Sequence, residues 1–355
     1  MVETRSTTHD LGGSPSKLQE QHQSTWIREK GGLKGAKTQA RSLTQGGLSV
    51  PQLYVLLGLA YALLSLPLMF GPRTTAHWLY GSAARPVEDQ HGHTLGLVAT
   101  TLVTIVSAAF ALEEASRKHT KRSAGPDVLR TGLAAYALLS LATHFFYPAT
   151  LSPLAAVLVL LTHGTTLVLL GSQARVSPPD SAQRGAQTVA DGARAALRLP
   201  HGSILGRLYL LLSLAAPALG ALVVLVPQTS LYHTLGYVYG ASTLLPWKLF
   251  GVGMLTIAPA VTLTLKDKAE AGLLSRSIPR TLNAGLLGAS LGHLLIFGPI
   301  LAQAHGGALL PFIVLGATLA TLTAILGFTA PELEELAEAA LAEPETEEAV
   351  HNPKI

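Results

Sequence analysis

Eight runs of uncharged, mostly apolar residues constrain this chain more than anything else in it. They cover residues 52–70, 94–112, 131–147, 153–171, 208–226, 250–265, 281–302 and 308–328. A helix of about 20 residues crosses a hydrocarbon core about 30 Å thick, and these runs have that length. They are continuous rather than alternating, which argues against the strand pattern of a membrane barrel. Charged residues make up only 13% of the chain and sit between the runs, whereas soluble domains carry about 25%. The pattern predicts an all-α polytopic membrane protein with eight transmembrane helices, and its first partner is the lipid bilayer.

The runs fall into two sets of four related by an internal duplication. Leu53, Tyr54, Leu56 and Leu57 return 155 residues later as Leu208, Tyr209, Leu211 and Leu212. At the same offset Leu59 and Ala60 match Leu214 and Ala215, Pro72 matches Pro227, Thr74 matches Thr229 and Gly81 matches Gly236. Gly96 matches Gly251 and Thr101 matches Thr256, and later Arg130-Thr131 recurs as Arg280-Thr281. The predicted organisation is a basic tail (1–47), a first four-helix repeat (52–171), a linker (172–206), a second repeat (207–328) and an acidic tail (329–355). With four helices each, the two copies enter the membrane in the same direction, as parallel repeats do. In the framing of the first span by Gly58 and Pro72, the unit resembles small four-helix membrane proteins of the DoxX-like kind. That resemblance implies a four-helix unit and brings no diagnostic motif, so no function follows from it.

Basic residues give an orientation. With alternating sides, 22 of the 25 Lys and Arg fall on one face, and Arg73, Arg85 and Lys248 are the three on the other. The basic face is cytoplasmic by the positive-inside rule, so both tails and the linker are expected inside, whichever membrane this is. The formal charge of +4 is explained by this topology and does not indicate nucleic acid. No secretory leader is visible in the first 30 residues. Residues 28–41 of the basic tail have the composition of either a headgroup-binding stretch or ordinary positive-inside charge. In the linker, residues 189–199 have the pattern of a short amphipathic helix. In the acidic tail, Thr329 and Glu332 have capping-box spacing, predicting a separate helix that begins at Thr329 and ends before Pro344.

The acids exclude several chemistries. All 21 Asp and Glu lie in tails, linker or loops, which leaves no carboxylate inside a span for proton or sodium coupling. Cysteine is absent, so disulfides, iron–sulfur clusters and thiol nucleophiles are excluded. Serine-hydrolase elbows, phosphate-binding glycine loops and His-Glu-x-x-His motifs are missing as well.

The polar candidates that remain are histidines and an amide. His144 lies in the third span, His163 in the fourth, and His293 and Asn283 in the seventh. Helix-borne histidines either ligate haem or a metal, or hydrogen-bond a neighbouring helix. In the first outer loop, Asp89, His91 and His93 offer two imidazoles and a carboxylate to zinc or copper, though a His-x-His pair in a loop is common. Trp78, Tyr80, Tyr232, Tyr237, Tyr239 and Trp247 are expected in outer loops as interfacial anchors.

Packing has its own signal. Gly285, Gly288, Ser290 and Gly292 give the seventh span a small-residue face that either seats it in the bundle or forms a homo-oligomer seam. Pro67, Pro217 and Pro259 are expected to kink their helices. Two functional readings follow. The favoured one is binding, scaffolding or passive passage of a small or lipidic molecule at the interface of the halves, with no cofactor. The contrasting one is a membrane enzyme or a haem or metal redox protein using these histidines.

Overall fold

The computed structural model describes residues 48–80, 88–118, 124–146, 151–173, 203–236, 241–302 and 307–342. Within these, the side chains of residues 73, 88–91, 124, 173, 241–242 and 330–342 are not described. The basic tail through residue 47, linker residues 174–202, Tyr237, Tyr239 and the chain beyond 342 lie outside the described residues. Residues Val50–Ile355 cluster as one unit, distinct from Met1–Ser49.

The described residues contain ten helices and no strand. In chain order they are α1 (Val50–Phe70), α2 (Pro72–Tyr80), α3 (Glu88–Arg117), α4 (Ala124–Phe146) and α5 (Pro153–Gln173). The second set is α6 (Ile204–Leu225), α7 (Pro227–Leu235), α8 (Ala241–Glu270), α9 (Ser277–Ala302) and α10 (Leu310–Ala342). All but α2 and α7 are long and apolar enough to cross a membrane, which makes eight such helices. Each overlaps one of the eight uncharged runs. The helical polytopic architecture read from the sequence is therefore the architecture of the molecule.

The short helices α2 and α7 were not anticipated. Each opens on one of the duplicated prolines, Pro72 or Pro227. A proline at a first helical position has its φ already set and lacks the N–H that would be unsatisfied there. Gly236 closes α7 with φ 71°, in the left-handed region, and its N–H bonds to Tyr232 O. Thr75 fastens α2 onto α1 by donating to the carbonyls of Pro67 and Gly71, both at 2.8 Å. The two short helices are also stitched to the chain leading into the last span of each set, α5 and α10. Ser152 N–H donates to Leu79 O beside α2, and Leu309 N–H donates to His233 O beside α7.

Other boundaries differ from the sequence reading because helices run past their uncharged cores. The Asp89–His93 stretch is not a loop but the first turns of α3. Trp247 and Lys248 are likewise inside α8, and Trp247 is fully buried rather than an interfacial anchor. Tyr80 is also buried, while Trp78 and Tyr232 are exposed. Lys266 is 1% exposed and pairs with Glu270 at 2.8 Å, one helical turn away in α8. Thr329 caps nothing: α10 continues through it, and its hydroxyl bonds back to Ile325 O. Local capping spacing lost to the stronger preference of an established helix to add one more hydrogen bond per residue. Prolines 67, 217, 246, 259 and 299 all lie inside continuous helices.

The bundle is organised around α3 and α8. In their most apolar stretches 83% and 61% of residues are buried, against 28–39% for the other six spans. Helix α1 packs on α3, and α6 packs on α8. The later helices change over. Helix α9 packs mainly on α3 and α4 mainly on α8, while each makes little contact with the span just before it. The halves of the chain therefore interlock instead of forming two free-standing bundles.

The small-residue face of α9 explains one side of this exchange. A Cβ placed on Gly285 would overlap Ser107, one on Gly292 would lie 2.5 Å from Thr100, and one on Gly288 would lie 3.2 Å from Val103. All three neighbours belong to α3. Small residues let membrane helices approach closely and gain dispersion contacts where lipid removes the hydrophobic drive. Those glycines thus face α3 of the same chain. Gly285→Val should destabilise the protein by about 1–3 kcal/mol through overpacking. Gly164→Val, at a position with no atom within 4 Å of an added Cβ, should be nearly neutral. Thermal unfolding of the detergent-solubilised protein, followed by helix signal, separates the two.

Candidate functional site

The sequence-selected polar residues separate into three places. The first lies among α1, α4 and α5. Tyr61 Oη is 3.2 Å from His163 Nδ1 and 3.1 Å from Thr166 Oγ1. Thr166 donates its own hydrogen to Thr162 O at 2.7 Å. Tyr136 meets the His163 ring edge-on at 5.7 Å, and His144 does so at 6.1 Å. His144 Nδ1 donates to Ser140 O at 2.7 Å. Tyr61, Tyr136 and His163 are all buried, and polar groups there must be paired internally because no water is at hand. His144 and His163 are thus brought together, while His293 lies elsewhere in the bundle.

Asn283 occupies the second place. It is fully buried and accepts at Oδ1 from Tyr209 Oη at 2.6 Å. Its Nδ2 finds no partner among the described residues. A Cβ on Gly327 of α10 would collide with both members of the pair. This contact ties α6, α9 and α10 together, and Asn283 does not line the cavity described next.

The third place is a cavity of about 280 Å³ running from the α7 end of the bundle towards its middle. Helices α6, α8, α9 and α10 supply most of its wall, and α3 supplies the remainder. It therefore lies within the second half of the chain, with one wall from the first, rather than on an interface shared equally by the two. Most of the lining is apolar. At its rim, Ala215 on α6 and Phe312 on α10 are exposed on the outside of the bundle, Phe312 by 72%. The weak packing of α6 against α10 leaves this gap between them.

One side of the cavity is polar. His293 Nε2 lies 2.8 Å from Thr100 Oγ1, and Thr101, Thr104, Thr262 and Ser290 join them in the wall. The His293 ring is held between Phe250, edge-on at 5.5 Å, and Phe297, stacked at 6.4 Å. Phe250 in turn packs on Trp247, whose Nε1 donates to Ser230 Oγ of α7 at 2.9 Å. The imidazole is consequently positioned by aromatic packing from α8 and α9 and by a hydrogen bond from α3. Of the residues chosen from sequence, His293 and Ser290 reach the cavity, while Gly285, Gly288 and Gly292 seat α9 against α3. The threonines of α3 were missed. Their spacing at 100, 101 and 104 marks one face of a helix, but nothing local distinguishes it from ordinary packing.

The metal reading of Asp89, His91 and His93 changes with the helix. Asp89, His91 and His93 lie on the first turns of α3 rather than in a loop. The side chains of Asp89 and His91 lie outside the described residues. Among the described residues, no three His, Asp or Glu side chains gather closely enough to hold a metal.

The fold defines a multi-pass helical membrane protein with an internal apolar cavity. No protein-family model matches the chain, and no curated protein matches its sequence.

The first cluster yields a stability test. Tyr61→Phe removes two buried hydrogen bonds and leaves a polar ring nitrogen without its partner, so it should cost about 1–3 kcal/mol. His163→Phe in the same background should add much less, because the group left unpaired by the first change is then gone. Unfolding midpoints of the two single variants and the double variant report the coupling.

Proposed function

We propose that this protein binds a small apolar molecule drawn from the bilayer, held in the cavity between α6 and α10. The observation that carries this reading is the cavity itself: about 280 Å³, mostly apolar, and reaching the apolar outside of the bundle at Ala215 and Phe312. Binding pockets for small molecules are concave and largely apolar, with a few placed polar groups, and this volume is near their lower bound. Passive passage of the same molecule between the α7 end of the bundle and the membrane interior would use the same space.

The duplication supports the assignment to one half of the chain. We read the halves as parallel repeats, since the packing partners exchange reciprocally: α3 with α9, and α8 with α4. Ala216 and Leu286 line the cavity. Their repeat positions, 155 and 150 residues earlier, are Tyr61 and Tyr136. Ala320 also lines it. It is the eleventh residue of α10, as His163 is of α5. The place in the first half that corresponds to the cavity is thus filled by two tyrosines and a histidine packed on one another. Large side chains close the site in one copy, and small ones leave it open in the other.

Refilling the open copy tests the binding. Ala216→Trp, in protein reconstituted into lipid nanodiscs, should abolish labelling of the buried cavity residues Leu212 and Ala317 by a photoreactive alkyl probe while helix content is retained. Equal labelling of the variant and the wild type would overturn the reading. The orientation also belongs to this proposal, with both termini cytoplasmic as the 22-to-3 basic asymmetry directs. Reporters fused at either end should be active on the cytoplasmic side, and a C-terminal reporter active on the opposite side would refute the parallel arrangement.

A further inference from the structure

We infer that the occupant of this cavity carries a hydroxyl group, which it donates to Nδ1 of His293. The inference rests on the binding reading above and adds the chemistry of the ligand. It comes from accounting for hydrogens along the polar wall. Thr100 has a single hydroxyl hydrogen, and Leu97 O accepts it at 2.7 Å within the same helix. With that hydrogen assigned to Leu97 O, Thr100 Oγ1 meets His293 Nε2, 2.8 Å away, as an acceptor. The proton of the neutral ring therefore sits on Nε2, and Nδ1 carries a lone pair. That nitrogen has no hydrogen-bond partner among the described residues, on a ring that lines the cavity.

The other hydroxyls of the wall are directed in the same way. Thr262 donates to Ala258 O at 3.0 Å and Ser290 to Leu287 O at 3.1 Å. Thr101 and Thr104 turn to the carbonyls of Leu97 and Thr100. The wall presents lone pairs and keeps its hydrogens. A ketone, an ether or an ester brings only further lone pairs and leaves Nδ1 unpaired in an apolar setting, where an unsatisfied group is costly. A carboxylate adds an unpaired charge. A long-chain or polycyclic alcohol brings an apolar body for α6 and α10 and one hydrogen for His293. Such molecules dissolve in the bilayer, into which the cavity opens between Ala215 and Phe312.

The test compares two probes of nearly equal size on the full chain in nanodiscs: a diazirine-tagged dodecanol and its methyl ether. The alcohol should label the cavity at concentrations about tenfold lower than the ether. His293→Phe, which keeps a flat ring between Phe250 and Phe297, should abolish that preference while the ether still labels. Thr100→Val supplies a second check, since it frees the His293 proton to occupy either nitrogen and should shrink the preference. Equal labelling by the two probes in the wild type, or an unchanged preference in His293→Phe, overturns the hydroxyl inference and leaves the binding reading standing. If neither probe labels above the Ala216→Trp background, the binding reading falls and this inference falls with it.

Discussion

The contact between α3 and α8 is the constraint on which the remainder of the structure depends. A Cβ on Gly253 of α8 would overlap the Thr101 side chain of α3, so the two axial helices meet at the closest range their side chains permit. In a bilayer the backbone of each span is satisfied within the helix, and association rests on packing and a few interhelical hydrogen bonds. Two helices that lie deep in the bundle along much of their length set the positions available to all the others. Every other span finds its main partner from this pair or from a helix already docked on it.

Once α9 is seated on α3 through its glycines, His293 is carried to Thr100 and away from the polar cluster around His163. The same seating makes α10 follow α9, and so leaves α6 and α10 only lightly in contact. The cavity is a consequence of that chain of contacts. Its floor is the axial pair with α9, its sides are α6 and α10, and its size comes from Ala216, Ala317 and Ala320 facing it. In the first half, α5 comes against α1 through Tyr61, His163 and Thr166, and the same region is packed with side chains. Burying large polar aromatics is stabilising where each finds a partner. An open cavity forfeits that packing, so the space between α6 and α10 is a structural cost.

Much of the architecture was legible in the sequence. The eight spans follow from uncharged length alone, and their observed bounds extend the predicted ones by a turn or more at charged ends. Glu113, Arg117, Asp267 and Glu270 end up on helices because polar side chains are tolerated at helix ends near the membrane surface. The duplicated prolines were visible, but the short helices they begin were not, since residues 72–80 and 227–235 are too brief and too polar for a periodicity argument. Thr329 misled for a related reason: a capping pattern signals a helix start only where no helix is already running. Trp247 and Lys266 were assigned to surface positions by residue type, whereas their burial depends on neighbours from other elements.

The sequence by itself determined the spans, their number, the scarcity of charge within them and the small-residue face of α9, because each depends on a contiguous stretch of chain and the thickness of a bilayer. Only the tertiary structure decided which helices those faces meet. The exchange of α4 and α9 between the axial helices joins residues nearly 200 positions apart, such as Thr100 and His293, and no local pattern encodes such a pairing. It is decided by which surfaces approach most closely, Gly285 on Ser107 and Gly253 on Thr101 among them. The cavity, and the placing of His293 in its wall, follow from that choice.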